Sequence, residues 1–270
     1  MRVSLDGCWA KLDRAKGHVE ELRAKIEQEA VKNSGLISLQ HEYDPNDRAV
    51  IYRINRVVQI HEHWPLIFGD AVHNLRCALD HLMWQLAVLH LGRQPTRAQA
   101  KQIQFPLVSR AKDFTRANLF LRHIRNADID HLKPFQPYKR RKKGEMHPLL
   151  KLVSLSNVDK HRKLHLLVVV PQSASFTNRP DAYRDCAPNP RLMPDGSIAH
   201  ALLLPPRRPP RPGDVILRTF VHPLGPNPDV EFDTSFIGHV ATGKLGPILP
   251  MLDAMARYVA SVLRAFEPII

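Results

Sequence analysis

The stretch Phe68-Gly-Asp-Ala-Val-His-Asn-Leu-Arg-Cys-Ala-Leu-Asp-His81 carries the strongest structural pattern in the chain. Apolar residues recur through it and just beyond it in alternating steps of four and three, the spacing of one buried helix face. That face consists of Phe68, Val72, Leu75, Leu79, Leu82 and Leu86. The pattern predicts a long helix that begins at Pro65 and ends near Leu91, before Gly92 and Pro95.

The opposite face of this helix carries compact polar side chains, where an ordinary solvated surface would have Lys, Glu and Gln. The face consists of Asp70, Asn74, Cys77 and His81, and it is flanked by His73 and Asp80. We expect Asp70, Asn74 and His81 on this face to be largely buried and hydrogen-bonded. Three interpretations of it stay open at this point: a structural polar network, a metal site and a nuclease-like site.

The metal interpretation rests on two spacings that each place two ligands on one helix face. They are Asp70-x-x-His73 and Cys77-x-x-x-His81, and mixed sets of this kind suit zinc or iron. The nuclease interpretation rests on Arg76 and His81, and it requires neither metal nor cofactor. In the nuclease interpretation, His81 would transfer a proton and Arg76 would stabilise the phosphoryl charge. Asp80 and Asn74 would orient these two side chains.

Four strings in the chain resemble a family of uncharacterised bacterial and phage proteins. They are GDAVHNLRCALDH at 69–81, FPL at 105–107, LKPFQPY at 132–138 and NVDKHR at 157–162. The resemblance covers about residues 65 to 165 and implies no mechanism. Separately, Arg76-x4-His81 resembles the R-x(4–6)-H motif of HEPN ribonucleases, although Cys77 stands where those enzymes usually have Asn.

The HEPN resemblance implies that Arg76 and His81 of two protomers line a shared cleft and cleave RNA without metal, which makes a homodimer an expected assembly. Other residues could complete such a site if their side chains face the same helix. We expect them to be Asp70, His73, Asp159, Lys160, His161 and Arg162.

The net charge of +13 predicts an anionic partner, for which RNA is our expectation. The strongest basic run is Lys139-Arg140-Arg141-Lys142-Lys143, which is suited to phosphate contacts and predicts a steep salt dependence of binding. The alternative is a non-catalytic module that binds nucleic acid or protein and uses the polar helix face structurally. A proline-rich stretch at 178–213 is expected to be mostly loop or an extended arm.

The whole chain is predicted to be a single α+β domain over 1–270. It would combine a bundle of about five helices with a small, mainly antiparallel sheet from an N-terminal hairpin and the C-terminal half. Besides the long helix, helices are expected at 5–32, 112–126, 148–163 and from 250. Strands are expected at 36–43, 49–58, 164–170, 215–221 and 230–240, with the last two as a candidate pair.

The cysteine spacing and the length of the apolar runs bear on where the protein resides in the cell. The three cysteines lie far apart without a CxxC motif, which is typical of a reducing cytoplasm and argues against a disulfide framework. No apolar run approaches the ~20 residues that a membrane span needs. We therefore expect a cytoplasmic protein with no membrane partner.

Overall fold

The computed structural model of the chain describes residues 3–44, 46, 49–116, 118–139, 146–161, 166–169, 177–178, 191–192, 198–203, 208–222, 232–233, 239–242 and 245–270. The chain divides into two compact units. The first comprises Met1–Ala24, His61–His165 and Lys244–Ile270, and the second comprises Lys25–Ile60 and Leu166–Gly243. The single domain over 1–270 stays a prediction.

The first unit is helical. Its helices are α1 (Asp6–Lys32, of which the part up to Ala24 belongs here), α2 (His63–Leu91), α3 (Arg97–Ala100), α4 (Ala111–Arg116), α5 (Asn118–Leu121), α6 (Asn126–Leu132), α7 (Pro148–His161) and α8 (Ile248–Phe266). Two 3₁₀ turns, Lys133–Phe135 and Pro137–Lys139, follow α6. Within the described residues, no helix is long and apolar enough to cross a membrane.

Helix α2 is the centre of this unit and confirms the predicted apolar face. All six predicted core residues of α2 are completely buried, and α2 contacts both α7 and α8. The helix ends as predicted at Gly92, whose φ of 65° is left-handed and therefore suits glycine. The predicted buried face of α8 is also confirmed, since Leu252, Met255, Val259, Val262 and Phe266 are fully buried.

The second unit contains the sheet. Its strands are β1 (Ile37–Asp44), β2 (Ala49–Val57), β3 (Leu167–Val169), β4 (Thr177–Asn178), β5 (Arg191–Leu192), β6 (Ile198–Leu203), β7 (Val215–His222), β8 (Phe232–Asp233) and β9 (His239–Ala241). Five of them form an antiparallel sheet in the order β1-β2-β7-β6-β5. The N-terminal hairpin thus joins strands from the C-terminal half, which confirms the α+β prediction.

Two predicted elements differ from the structure. The helix expected over 112–126 is replaced by α4, α5 and the start of α6 at Asn126. The expected pairing of 215–221 with 230–240 is also wrong, because β7 pairs with β2 and β6, whereas β8 pairs with β4 and β9 with β3. An alternating apolar pattern identifies a strand, but it does not specify with which other strand it pairs.

The described part of the proline-rich segment is more regular than a loop. Strands β5 and β6 lie within it, and its end is attached to β2 through the backbone of Gly213, which donates to the Ile54 carbonyl at 2.7 Å. Arg208 donates to both carboxylate oxygens of Asp214, at 2.9 and 2.6 Å. This pair holds the pKa of Asp214 below its usual range and closes the turn before β7. Residues 208–213 therefore do not form an extended arm.

Candidate functional site

The polar face of α2 is less buried than its composition predicts. Asn74 is buried and its side-chain amide donates to the Asp70 carbonyl at 2.9 Å, but the side chains of Asp70, His73 and His81 are exposed. The expectation of burial is therefore wrong for Asp70 and His81. At 100° per residue, Asp70 and His81 lie roughly opposite Leu79, on the side of α2 away from the core.

Arg76 and Asp80 form a closed hydrogen-bond arrangement with the backbone of Phe105. The Arg76 guanidinium donates to the Asp80 carboxylate from Nε at 3.0 Å, and its Nη2 donates to the Phe105 carbonyl at 3.0 Å. Asp80 in turn accepts the Phe105 N–H at 2.8 Å. We call this arrangement the Arg76–Asp80 clamp. It satisfies both backbone groups of a residue whose ring is 1% exposed, so the clamp fixes the segment around Phe105 to α2.

The clamp bears directly on the predicted catalytic pair. Helix α2 is unbroken from His63 to Leu91, so Arg76 and His81 point about 140° apart, and one chain does not present them to a common substrate. The His81 imidazole instead lies beside Gly7 of α1, where a Cβ atom would be 3.5 Å from Nδ1. The catalytic roles of Arg76, His81, Asp80 and Asn74 stay predictions, and Arg76 and Asp80 also have a structural role.

A line of titratable groups does run along α2. Cys77 Sγ lies 3.3 Å from His73 Nε2, and His81 follows one further turn along. The Cys77 thiol is partly exposed, unlike that of Cys8, whose burial raises its pKa to about 12. His73 and Cys77 are thus the two members of the predicted metal set that lie in contact.

The four predicted metal ligands do not converge. Asp70 and His81 are separated by about 16 Å along a regular helix at 1.5 Å per residue, which is far beyond the reach of one ion. In the part of the chain that the structure describes, no group of three His, Cys, Asp or Glu side chains could hold a metal. The hypothesis that Asp70, His73, Cys77 and His81 hold one metal ion is therefore wrong.

Several predicted site residues fall partly or wholly outside the described structure. Asp159, Lys160 and His161 belong to the last turn of α7, but their side chains lie outside the description, as does Arg162. Arg140, Arg141, Lys142 and Lys143 of the basic run also lie outside it.

The first residue of the basic run, Lys139, is described and exposed. Its ammonium lies 5.9 Å from the centroid of the Tyr138 ring, within cation–π range. The half-buried Tyr138 ring packs edge-on against the buried Phe114 ring, with centroids 6.0 Å apart. A packed, half-buried aromatic ring therefore lies directly before the basic run.

Sequence reasoning missed a second cationic group in the first unit, which we call the α2-end cluster: His90, Arg93, Arg122 and His123. Burial lowers the pKa of His123, and the positive charges of Arg122, His90 and Arg93 lower it further, although these residues come from two distant stretches of sequence. The sequence contains no signal for this effect, because it depends on where the turn after α5 lies in the folded unit.

The chain was also compared with known proteins. No protein-family model matches it, and neither a curated protein nor a solved structure matches it. Its function is therefore inferred from the chemistry of its own residues.

Proposed function

We propose that the protein binds RNA and that the segment 138–143 makes a principal contact. The observation that carries the proposal is the exposed Lys139 ammonium beside the Tyr138 ring, at the start of five consecutive cationic residues. Surfaces that bind single-stranded nucleic acid combine cations for the phosphates with aromatic faces for the bases. The net charge of +13 supports attraction of a polyanion over a longer range.

Unpaired RNA is the favoured partner because only an unstacked base can place its face on an aromatic ring. The Tyr138 ring packs edge-on against the buried Phe114 ring, and this contact restricts its orientation before any ligand arrives. A basic run without an aromatic neighbour would bind the phosphates of duplex and single strand alike. The aromatic neighbour therefore predicts a preference for single strands.

The charge contribution can be tested by salt titration. We would measure the affinity for a 12-nucleotide oligouridylate by fluorescence anisotropy, comparing the wild type with a variant in which all five residues of 139–143 are Gln. The salt slope should fall by up to about 3.5, at about 0.7 per lost phosphate contact. The matched control replaces five exposed cations elsewhere in the first unit: Arg14, Lys16, Lys112, Arg257 and Arg264. An equal loss in both variants would contradict a specific role for 139–143.

The aromatic contribution is tested separately. Tyr138→Leu should weaken binding by about 1–3 kcal/mol, the contribution of one stacked base, and should leave the salt slope unchanged. Tyr138→Phe keeps the ring and should bind like the wild type. Equal affinities for the Leu and Phe variants would exclude stacking on this ring, and binding of duplex RNA as tightly as of oligouridylate would exclude the single-strand preference.

Metal-independent RNA cleavage is a second candidate, favoured by the exposure of both His73 and His81 on α2. One His could accept the proton of the 2′-hydroxyl while another group protonates the leaving oxygen, giving a 2′,3′-cyclic phosphate. Because Arg76 is engaged in the clamp, a cation from a second protomer would have to stabilise the phosphorane. Cleavage that persists in EDTA and is lost in His81→Ala, with RNA affinity retained, would support this candidate.

A further inference from the structure

The string LKPFQPY at 132–138 contains a polar side chain that the fold does not use. Gln136 is completely buried, and within the described residues neither the oxygen nor the nitrogen of its carboxamide has a hydrogen-bond partner. Such groups are rare in folded proteins, because they lose their hydrogen bonds to water without replacement. The carboxamide of Gln136 therefore destabilises the fold, and an apolar side chain of similar size would suit this position better.

The backbone of Gln136, in contrast, is bonded on both sides. Its N–H donates to the Lys133 carbonyl at 3.1 Å, and its carbonyl accepts the Lys139 N–H at 2.9 Å. The residue is extended, with φ −73° and ψ 142°, which is the conformation favoured before a proline such as Pro137. Gln136 is thus the extended residue that joins the two 3₁₀ turns after α6.

These two turns differ in what they carry. The first is attached to the helices, since Leu132 before it is completely buried and the Phe135 carbonyl accepts the Tyr258 hydroxyl of α8 at 3.0 Å. The second carries the half-buried Tyr138 ring and the exposed Lys139 ammonium. Gln136 therefore connects an anchored turn to the turn that holds the RNA contacts of the proposed function.

We propose that the Gln136 carboxamide recognises the edge of the RNA base that stacks on Tyr138, and that it leaves its buried position when RNA binds. This inference rests on the proposed function, since it adds a contact to the same site. The residue is close enough for this role, because the bond from the Lys139 N–H to the Gln136 carbonyl places all three residues in one turn.

The chemistry of a carboxamide fits a base and not a phosphate. Its nitrogen donates hydrogen bonds and its oxygen accepts them. The Watson–Crick edge of an unpaired base presents a donor beside an acceptor, so both atoms of the Gln136 carboxamide gain a partner there. A phosphodiester oxygen only accepts, and it would leave the carboxamide oxygen without a partner. In this arrangement Lys139 contacts the phosphate, Tyr138 the face of the base and Gln136 its edge.

The energetics of the free protein favour this movement. A buried side chain that makes hydrogen bonds must break them before it can turn toward a ligand, whereas the Gln136 carboxamide has none to break among the described residues. The turns on either side are 3₁₀ turns, whose hydrogen bonds are weaker than those of an α-helix. Removal of the carboxamide should therefore stabilise the free protein and weaken its complex with RNA.

The first test measures the melting temperature without RNA. Gln136→Met keeps a side chain of similar length and removes both polar atoms, so the melting temperature should rise by ~3 °C. Gln102→Met is the matched control, since Gln102 is a half-buried glutamine of the same unit, and its melting temperature should stay near that of the wild type. A melting temperature of Gln136→Met at or below that of the wild type would show that the carboxamide does not destabilise the fold, and would overturn the inference.

The second test separates the edge of the base from its face. Fluorescence anisotropy compares a 12-nucleotide oligouridylate with the same oligonucleotide made of 3-methyluridine, whose methyl group blocks N3 on the edge and leaves the face available for stacking. The wild type should bind the unmodified probe about fivefold more tightly, as expected for the loss of hydrogen bonds to one base. Gln136→Met should bind both probes with the lower affinity, and Gln102→Met should keep the difference.

The outcomes separate this inference from the proposed function. If the wild type binds both probes equally, or if Gln136→Met still distinguishes them, Gln136 does not recognise the base, although RNA binding through 138–143 would hold. If the wild type binds neither probe, the proposed function itself fails and the inference fails with it.

Discussion

Arg122 and Arg125 lie three residues apart in the same turn, yet their surroundings are opposite. Arg125 donates to both oxygens of Asp128, at 2.8 and 3.0 Å, whereas Arg122 has no acidic partner among the described residues and its charge lowers the pKa of the neighbouring His123. The Arg76–Asp80 clamp is another arginine paired with a carboxylate, whereas the α2-end cluster contains cations without such a partner in the described residues. A cation with a buried acidic partner stabilises the fold, whereas a cation without one contributes little to it.

The largest expected effect tests this contrast inside one turn. The Asp128 carboxylate is almost completely buried, so Arg125→Gln would leave a buried charge without its cation. We expect the free energy of unfolding to fall by about 3 kcal/mol, the lower end for a broken buried pair. Arg122→Gln should leave it nearly unchanged. Urea denaturation of both variants measures the difference, and equal destabilisation would remove the distinction between the two arginines.

The next effect concerns the clamp. Asp80→Ala removes the acceptor of the Phe105 N–H and the partner of a guanidinium that is only 14% exposed. The loss should be about 2 kcal/mol, within the cost of leaving buried groups unsatisfied. Asp70→Ala is the matched control on the same helix, since Asp70 is exposed and its carboxylate makes no bond within the described structure. If the clamp contributed nothing to stability, the Asp80→Ala and Asp70→Ala variants would have equal free energies of unfolding.

These contrasts also show what the sequence could predict. The apolar face of α2 repeats at helical spacing, so its burial follows from local pattern alone, as does the end of the helix at Gly92. The role of Arg76 does not follow, because its partner Phe105 lies 29 residues away and is contacted through backbone atoms that no side-chain pattern records. The motif strings at 69–81 and 105–107 are thus joined by hydrogen bonds that become visible only in the fold.

The same reasoning explains the errors on the polar face and in the sheet. The residue types on the polar face of α2 predict burial, but burial depends on which neighbours cover that side of the helix. The strand at 215–221 was located correctly, whereas its partners depend on long-range pairing with β2 and β6. The α2-end cluster is an extreme case, since its members share neither a spacing nor a segment.

The smallest expected effect is the most specific to the cluster. The pKa of His123 is lower in the folded protein than in an unfolded chain, so the unfolded state binds more protons as the pH falls. The contribution of His123 to stability is therefore present above its ordinary pKa and is lost as the pH falls through its folded value. Removing the charge of Arg122 should raise that folded pKa and reduce the loss.

Arg122→Gln should accordingly lose less stability than the wild type between pH 7.5 and 5.5, by ~0.3 kcal/mol, as expected for one like-charge neighbour at a partly exposed position. Urea denaturation at constant ionic strength measures this difference. Arg14→Gln, a change of the same charge on α1, should follow the wild type. Identical pH dependence in all three proteins would show that the charge of Arg122 does not act on His123.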